Sequence, residues 1–302
     1  MNQTIVKRDV YQIVTDRIIE LLEQGTIPWQ QPWTKAGMPQ NLISKKPYRG
    51  INVFLLASLN YFHNQFLTYK QLTELGGTVN EGEKSHMVVF WKWPDANNVE
   101  ENVLKKETKK TPLLRYYKVY NVKQCSGIPE ESIPEIPTSQ NDILEMCESI
   151  IENMPLKPEI QTGGFQAFYH PVHDYINMPE MNAFIDSEHY YSVLFHELIH
   201  STGHVSRLSR REIIQKTNYG SEPYSIEELT AEIGACYLTS LSGIVSLHRP
   251  FENSVAYIQG WLKRLKNDRK FIVYGSTQAQ RAVDFILNVN HESLVEQMVE
   301  SK

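Results

Sequence analysis

Apolar residues recur at helical spacing from near the start of the chain. Val6, Val10, Ile13, Val14 and Ile18 follow this spacing, and the pattern stops at Gly25. Residues 86–93 and 115–122 read differently. They are rich in Val, Tyr, Phe and Trp, which predicts strands whose side chains alternate between interior and solvent. Helical spacing returns at Ile143, Leu144, Met146, Cys147, Ile150 and Ile151. Further helices are predicted over 190–203, over 225–235, through Tyr257, Ile258, Trp261, Leu262 and Leu265, and through Ala279, Ala282, Val283, Ile286 and Leu287. The last two read as packing elements. The mixture predicts an α+β protein.

Residues 126–141 break the pattern. They hold Pro129, Pro134 and Pro137 among three glutamates, with no usable periodicity, and read as an extended linker. The expected organisation is a domain over 1–125, the linker, and a domain over 142–302. A chain of 302 residues has room for two domains.

Charge sharpens this division. Residues 1–125 hold 17 Lys and Arg against 11 Asp and Glu, a net of +6. Residues 126–302 hold 13 against 24, a net of −11. The basic half implies a polyanionic partner, and the same split argues against an acidic mimic of DNA. No apolar run approaches the ~20 residues that span a bilayer, so no membrane partner is expected. The first helix carries both signs of charge and is not a signal peptide. Cys125, Cys147 and Cys236 form no CxxC pair. Neither a disulfide framework nor a thiolate zinc site is indicated, which suits a reducing cytoplasm.

The basic half interleaves aromatic and cationic residues, a pairing that serves single-stranded nucleic acid: bases stack on rings and cations follow the phosphates. Most of its strand aromatics are expected in the core. The candidate DNA-binding residues are Trp33, Lys45, Lys46, Tyr48, Arg49 and Asn52, in a loop-like stretch containing Pro47 and Gly50. Residues 95–114 are expected to join the two strands as a mobile loop, with Lys105, Lys106, Lys109 and Lys110 as solvated surface.

The acidic half carries the strongest chemical signal, His196-Glu197-Leu198-Ile199-His200. Two histidines four apart on a helix share one face, so both imidazoles can reach one Zn²⁺ at ~2.0–2.1 Å. Glu197 then falls beside the metal, placed to accept a proton from bound water. This is the HExxH pattern of zinc metallopeptidases. A third ligand is required. His204 is rotated away on a continuing helix, and Gly203 points to the helix ending first. Ser206 stands where a metzincin would place histidine. The helix over 225–235, with Ser225 read as its N-cap, offers Glu228 and Glu232 on one face. Glu228 is the favoured ligand. Glu232, one turn on, is expected to hold a ligand imidazole by its second nitrogen. Ala231 and Ala235 would permit close approach of the two helices.

Tyr169-His-Pro171, Asp174-Tyr-Ile-Asn-Met-Pro179, the HExxH segment, Arg207-Leu208-Ser209-Arg210 and Glu228-Leu-Thr-Ala-Glu232 together resemble the zincin-like metallopeptidase domain of ArdC-type antirestriction proteins. Pro28-Trp29, Pro32-Trp33, Tyr48-Arg49-Gly50-Ile51-Asn52, Thr68-Tyr69-Lys70-Gln71 and Tyr117-Lys-Val-Tyr120-Asn121 resemble that family's single-stranded-DNA-binding domain. The resemblance implies a protein of a mobile element that coats entering single strands and helps them escape restriction. It leaves two functions open. One is a zinc peptidase acting on an unidentified, DNA-associated host protein, with zinc replaceable by another divalent metal. The other is a non-catalytic shield of single-stranded DNA whose metal site is structural or idle. For the peptidase, 174–179 is expected to be the edge strand over the cleft, and Tyr190, Tyr191, Tyr219 or Tyr224 to supply an oxyanion donor.

Overall fold

The computed structural model describes residues 9–24, 27, 38–59, 61, 63–92, 113–134, 142–184, 186–214, 222–244 and 255–289. The N-terminal half runs α1 (Val10–Glu23), β1 (Gln40–Asn41), α2 (Ile51–Ala57), β2 (Gln65–Leu67), α3 (Tyr69–Glu74), β3 (Thr78–Val79), β4 (His86–Lys92), β5 (Leu113–Asn121) and β6 (Cys125–Ser126). The C-terminal half runs α4 (Asp142–Glu152), β7 (Glu159–Thr162), β8 (Phe168–His170), β9 (Tyr175–Met178), α5 (Ser187–Ser201), α6 (Arg211–Ile214), α7 (Glu222–Leu241), α8 (Val255–Asn267) and α9 (Phe271–Ile286). This is the α+β architecture that the apolar spacing predicts.

The N-terminal sheet has the order β1-β2-β5-β4. Its longest ladder pairs β4 with β5 antiparallel, from His86 opposite Val119 to Lys92 opposite Leu113. Residues 93–112, between these strands, lie outside the described residues, and with them most of the loop expected over 95–114; Leu113 and Leu114 instead open β5. β6 pairs with β3, and Ile128 and Ile133 pack on a core of Leu42, Leu67, Leu72 and Val122. The first part of the expected linker is therefore folded onto the N-terminal half. Apolar residues among its prolines found a surface to cover.

The halves share one core. Val14, Ile18 and Phe54 from the N-terminal half join Leu229, Tyr237, Phe271 and Val283 in a single buried cluster. Phe54 stacks on Tyr237 at 5.3 Å, and the Tyr237 hydroxyl donates to Gly50 O at 2.7 Å. Arg49 forms an ion pair with Asp284, and Gln280 Oε1 accepts from Gly50 N at 2.9 Å.

The second sheet corrects one expectation. Its order is β7-β9-β8, so β9, within 174–179, is the central strand, paired on both sides. β7 and β8 are the two edges, and of these β8 lines the cleft through Phe168 and Tyr169. Antiparallel pairing of Tyr169 with Ile176 joins β8 to β9.

Two of the expected DNA-binding residues are structural. Tyr48 is buried, its ring edge-on to Phe66 at 6.2 Å, because the turn before α2 folds it inward. The Asn52 amide donates to Val89 O and accepts from Val89 N, both at 2.7 Å, tying α2 to β4. Arg49 is held by Asp284 but keeps an exposed side. Lys45 and Lys46 are exposed, and Lys45 Nζ donates to Ser132 O at 3.1 Å. Trp33 lies outside the described residues.

Candidate metal centre

α5 starts where Asp186 caps it, its carboxylate accepting from His189 N at 2.8 Å. It stays helical through His200 and ends at Ser201, with Thr202 as C-cap. His196 and His200 therefore stand one turn apart on one face, as the local period requires. Their Nε2 atoms are 3.0 Å from each other. Glu228, on α7, brings Oε2 to 3.7 Å from His196 Nε2 and Oε1 to 3.7 Å from His200 Nε2. Two bonds of ~2.0–2.1 Å at a tetrahedral angle separate ligand atoms by about 3.3 Å. The observed spacings bracket that value. His196, His200 and Glu228 are the one such cluster of potential metal ligands found among the described residues.

His204 does not join it. The helix has ended, and His204 Nδ1 lies 2.8 Å from Ser206 Oγ and 3.7 Å from Asp174 Oδ2. α7 begins at Glu222, so Ser225 sits inside the helix and is not its N-cap.

The carboxylate at the far nitrogen of His200 is Glu227; the sequence expects Glu232 to hold a ligand imidazole without choosing which. Glu227 Oε1 lies 3.0 Å from His200 Nδ1. An ionised carboxylate only accepts, so Nδ1 carries the proton and Nε2 turns to the ligand cluster. Glu232 is half-buried on α7, one turn beyond Glu228. Glu227 is gripped in turn by Arg210, whose Nε and Nη2 donate at 2.9 and 2.7 Å. Arg210 Nη2 also donates to Ile199 O at 2.7 Å, and Nη1 to Thr202 Oγ1, fastening the end of α5. Burial works against the Glu227 carboxylate, but Arg210 and His200 outweigh it and hold its pKa down at about 2. Burial likewise opposes a charged His200, yet Glu227, with Glu197 and Glu228, lifts its pKa to about 9 without metal.

Glu197 is buried beside the cluster. Its Oε2 accepts from the backbone N–H of Tyr169 at 2.8 Å, so the edge strand β8 orients it. The Tyr169 hydroxyl donates to Asp174 at 2.9 Å. Arg207, almost fully buried, pairs with Asp174 and donates to Ser201 O at 2.7 Å and Leu156 O at 2.9 Å. Burial would raise the Asp174 carboxyl, but bonds from Arg207 and Tyr169 and the nearness of His204 lower it overall. This network ties the sheet to the end of α5. Arg207 and Arg210 enter the sequence reading only as part of the family pattern, and neither they nor Glu227 receive a role there, because nothing local marks a buried charge.

An open cleft of about 730 Å³ exposes the cluster, with Phe168, Tyr169 and Val172 on the sheet side and Val205, Ile213 and Ile214 opposite. Tyr190 and Tyr191 do not line it, and the Tyr191 hydroxyl donates to Glu148. Tyr219 and the Tyr224 side chain lie outside the described residues. No helix among the described residues is long and apolar enough to cross a membrane.

Comparisons extend over nearly the whole chain. The family model for the N-terminal domain of the anti-restriction factor ArdC matches residues 8–122, and that for zincin-like metallopeptidases matches 145–278. The y4eC protein of Sinorhizobium fredii (strain NBRC 101917 / NGR234) is 31% identical over 291 residues, covering 92% of this chain and 91% of the relative. The DNA primase TraC of Escherichia coli is 32% identical over 311 residues, covering 97% of this chain but only 28% of the primase. Among solved structures, metal-free ArdC from the R388 plasmid superposes with a TM-score of 0.74 at 36% identity, covering 92% of this chain and 97% of that one. The Mn(II)-bound form gives 0.72 at 36% identity, covering 93% and 98%. Metal bound to so similar a protein agrees with the donor set here, and points to a divalent ion. The chain belongs to the ArdC family of antirestriction proteins, with an ArdC N-terminal domain followed by a zincin-like metallopeptidase domain.

Proposed function

We propose that this protein serves a mobile element as an antirestriction factor that binds single-stranded DNA and hydrolyses peptide bonds at a zinc site. The observation that carries the peptidase reading is the convergence of His196, His200 and Glu228 beneath an open cleft with Glu197 beside them. Two imidazoles and one carboxylate are a donor set that catalytic zinc uses with one position open. When bound, the ion would supply Lewis acidity to a peptide carbonyl and acidify water towards ~7.

The chain's own residues do the rest. Glu197, oriented by Tyr169 N–H, accepts the proton of the attacking water and delivers it to the leaving amine. Glu227 fixes the His200 ring. The edge strand β8 lies along the cleft, so an extended substrate pairs with it as an added strand. The substrate is a protein associated with DNA, brought close by the basic N-terminal half, whose net charge is +6 over residues 1–125. The work is done in the cytoplasm of the cell that receives the DNA.

The test compares wild type with Glu197→Gln for metal content, proteolysis of DNA-bound host proteins, and protection of incoming DNA. Peptidase function predicts that metal is kept while cleavage and protection are lost. Full protection by the variant would favour the non-catalytic shield.

A further inference from the structure

A second cleft, of about 250 Å³, opens between the outer end of β4 and α9. It shares no lining residue with the metal cleft. Its walls come from both halves: Phe90 and Trp91 on β4, Arg49 before α2, and Gln280 and Arg281 on α9. Phe90 and Trp91 are 41% and 40% exposed, against the expectation that strand aromatics serve the core. Successive strand residues face opposite sides, so the Trp91 ring stands on the helix side of the sheet, edge-on to Tyr11 at 6.1 Å, while Phe90 meets Tyr117 on the other face. Tyr117 is 39% exposed, with its ring 5.8 Å from that of Phe90.

The polar groups are unevenly satisfied. Asp284 is buried and takes bonds from Arg49 and from Gln280 Nε2 at 3.1 Å. The Arg49 side chain remains 41% exposed with further donors to offer. Arg281 is exposed and holds no ion pair among the described residues. Two guanidinium groups beside an exposed indole suit a ligand that is both anionic and flat. An acidic peptide would use the arginines but not the rings. Duplex DNA hides its base faces, whereas a single strand offers base faces and phosphates together.

We propose that this cleft is a seat for single-stranded DNA, a base stacking on Trp91 and the flanking phosphates meeting Arg281 and Arg49. The assignment rests on the reading of the protein as a single-strand binder. It keeps Arg49 from the 45–52 turn and turns the rest of the contact surface to the junction of the halves. A strand seated there touches α9, which packs on α7, the helix of Glu228: a Cβ at Gly275 would come within 2.8 Å of Leu229.

The test is fluorescence anisotropy of labelled oligo(dT) with the full chain, comparing wild type with Trp91→Ala, Arg281→Ala and Lys46→Ala. Thermal melts check that each variant folds, and exposed Arg281 gives a variant with little packing to lose. Loss of a stacked base should weaken binding roughly 5- to 150-fold. Loss of Arg281 should reduce the salt dependence by about 0.7 in log–log slope, which a merely structural effect would not do. Wild-type affinity and salt slope in both the Trp91 and Arg281 variants, with loss confined to Lys46→Ala, would overturn this site but keep the single-strand reading. No binding by wild type would overturn both.

Discussion

His200 Nδ1 lies 3.0 Å from Glu227 Oε1, and the other Glu227 oxygen is held by Arg210 Nε at 2.9 Å. The same guanidinium clamps carbonyls at the end of α5. The ligand helix, the ligand's orientation and the helix that bears Glu228 are thus fixed by one buried charged chain.

Replacing Glu227 with Gln should weaken metal binding ~10- to 100-fold, because the carboxylate no longer fixes the imidazole. Glu227→Ala should also destabilise the fold by about 3–5 kcal/mol, since it strands a buried guanidinium. Titration calorimetry and urea melts read the two effects. A larger loss of metal from Glu232→Gln than from Glu227→Gln would make Glu232 the principal carboxylate behind a ligand imidazole. Glu228→Ala should lose the metal altogether, as elemental mass spectrometry would show.

Proton release should accompany metal binding. His200 has a raised pKa of about 9 without metal, so its contribution to stability is complete below about 6.5 and fades as pH rises through 9. Glu227 has a lowered pKa of about 2, so its contribution is complete above about 4.5 and fades as pH falls through 2. Metal must displace the His200 Nε2 proton. Affinity should therefore rise between pH 6.5 and 9, with about one proton released at neutral pH. Calorimetry in buffers of different ionisation heat measures that number. Release near zero would mean His200 is neutral before metal arrives.

Gly234→Ala should separate the two site helices. A Cβ there would fall 2.5 Å from Ile199 Cδ1 and 2.7 Å from its Cγ1, inside a buried contact. Overpacking of this kind costs ~1–3 kcal/mol. Because Ile199 sits beside His200, metal affinity should fall with stability. Equal affinity with a lowered Tm would show that α5 and α7 adjust without moving the donors.

Arg207→Ala should destabilise by ~3 kcal/mol: charge-assisted bonds carry about 1.5–3 kcal/mol at most, and the partly exposed Asp174 and exposed Leu156 contribute less than buried Ser201. It removes the pair with Asp174 and the bonds to Ser201 O and Leu156 O. Glu197 should keep its orienting bond, which comes from the Tyr169 backbone. A melt shifted by less than the equivalent of 1 kcal/mol would mean water replaces the network.

Some of this was legible in the chain. The helices, the β4–β5 pair and the shared face of His196 and His200 follow from spacing, because 3.6-residue and two-residue periods are local properties. Glu228 beneath those histidines follows from a second helix with a carboxylate at a suitable distance along the chain. Tyr48, expected at the surface, is covered, and the strand aromatics, expected mostly in the core, include the exposed Phe90. Composition shows an aromatic residue, and only the neighbouring elements decide whether its ring is covered: Tyr48 is 7% exposed and Phe90 41%.

The sequence by itself determined the donor types, their spacing on α5, the α+β mixture and the charge split between the halves, all of which depend on residue identity and local backbone geometry. Tertiary structure alone decided which α7 carboxylate meets His200, which strand lines the cleft, and that the halves pack as one core. Those depend on how α7 crosses α5, with Gly234 against Ile199, and on β9 being flanked on both sides. Contacts between residues distant in sequence are set by packing many side chains at once, and no local period encodes them.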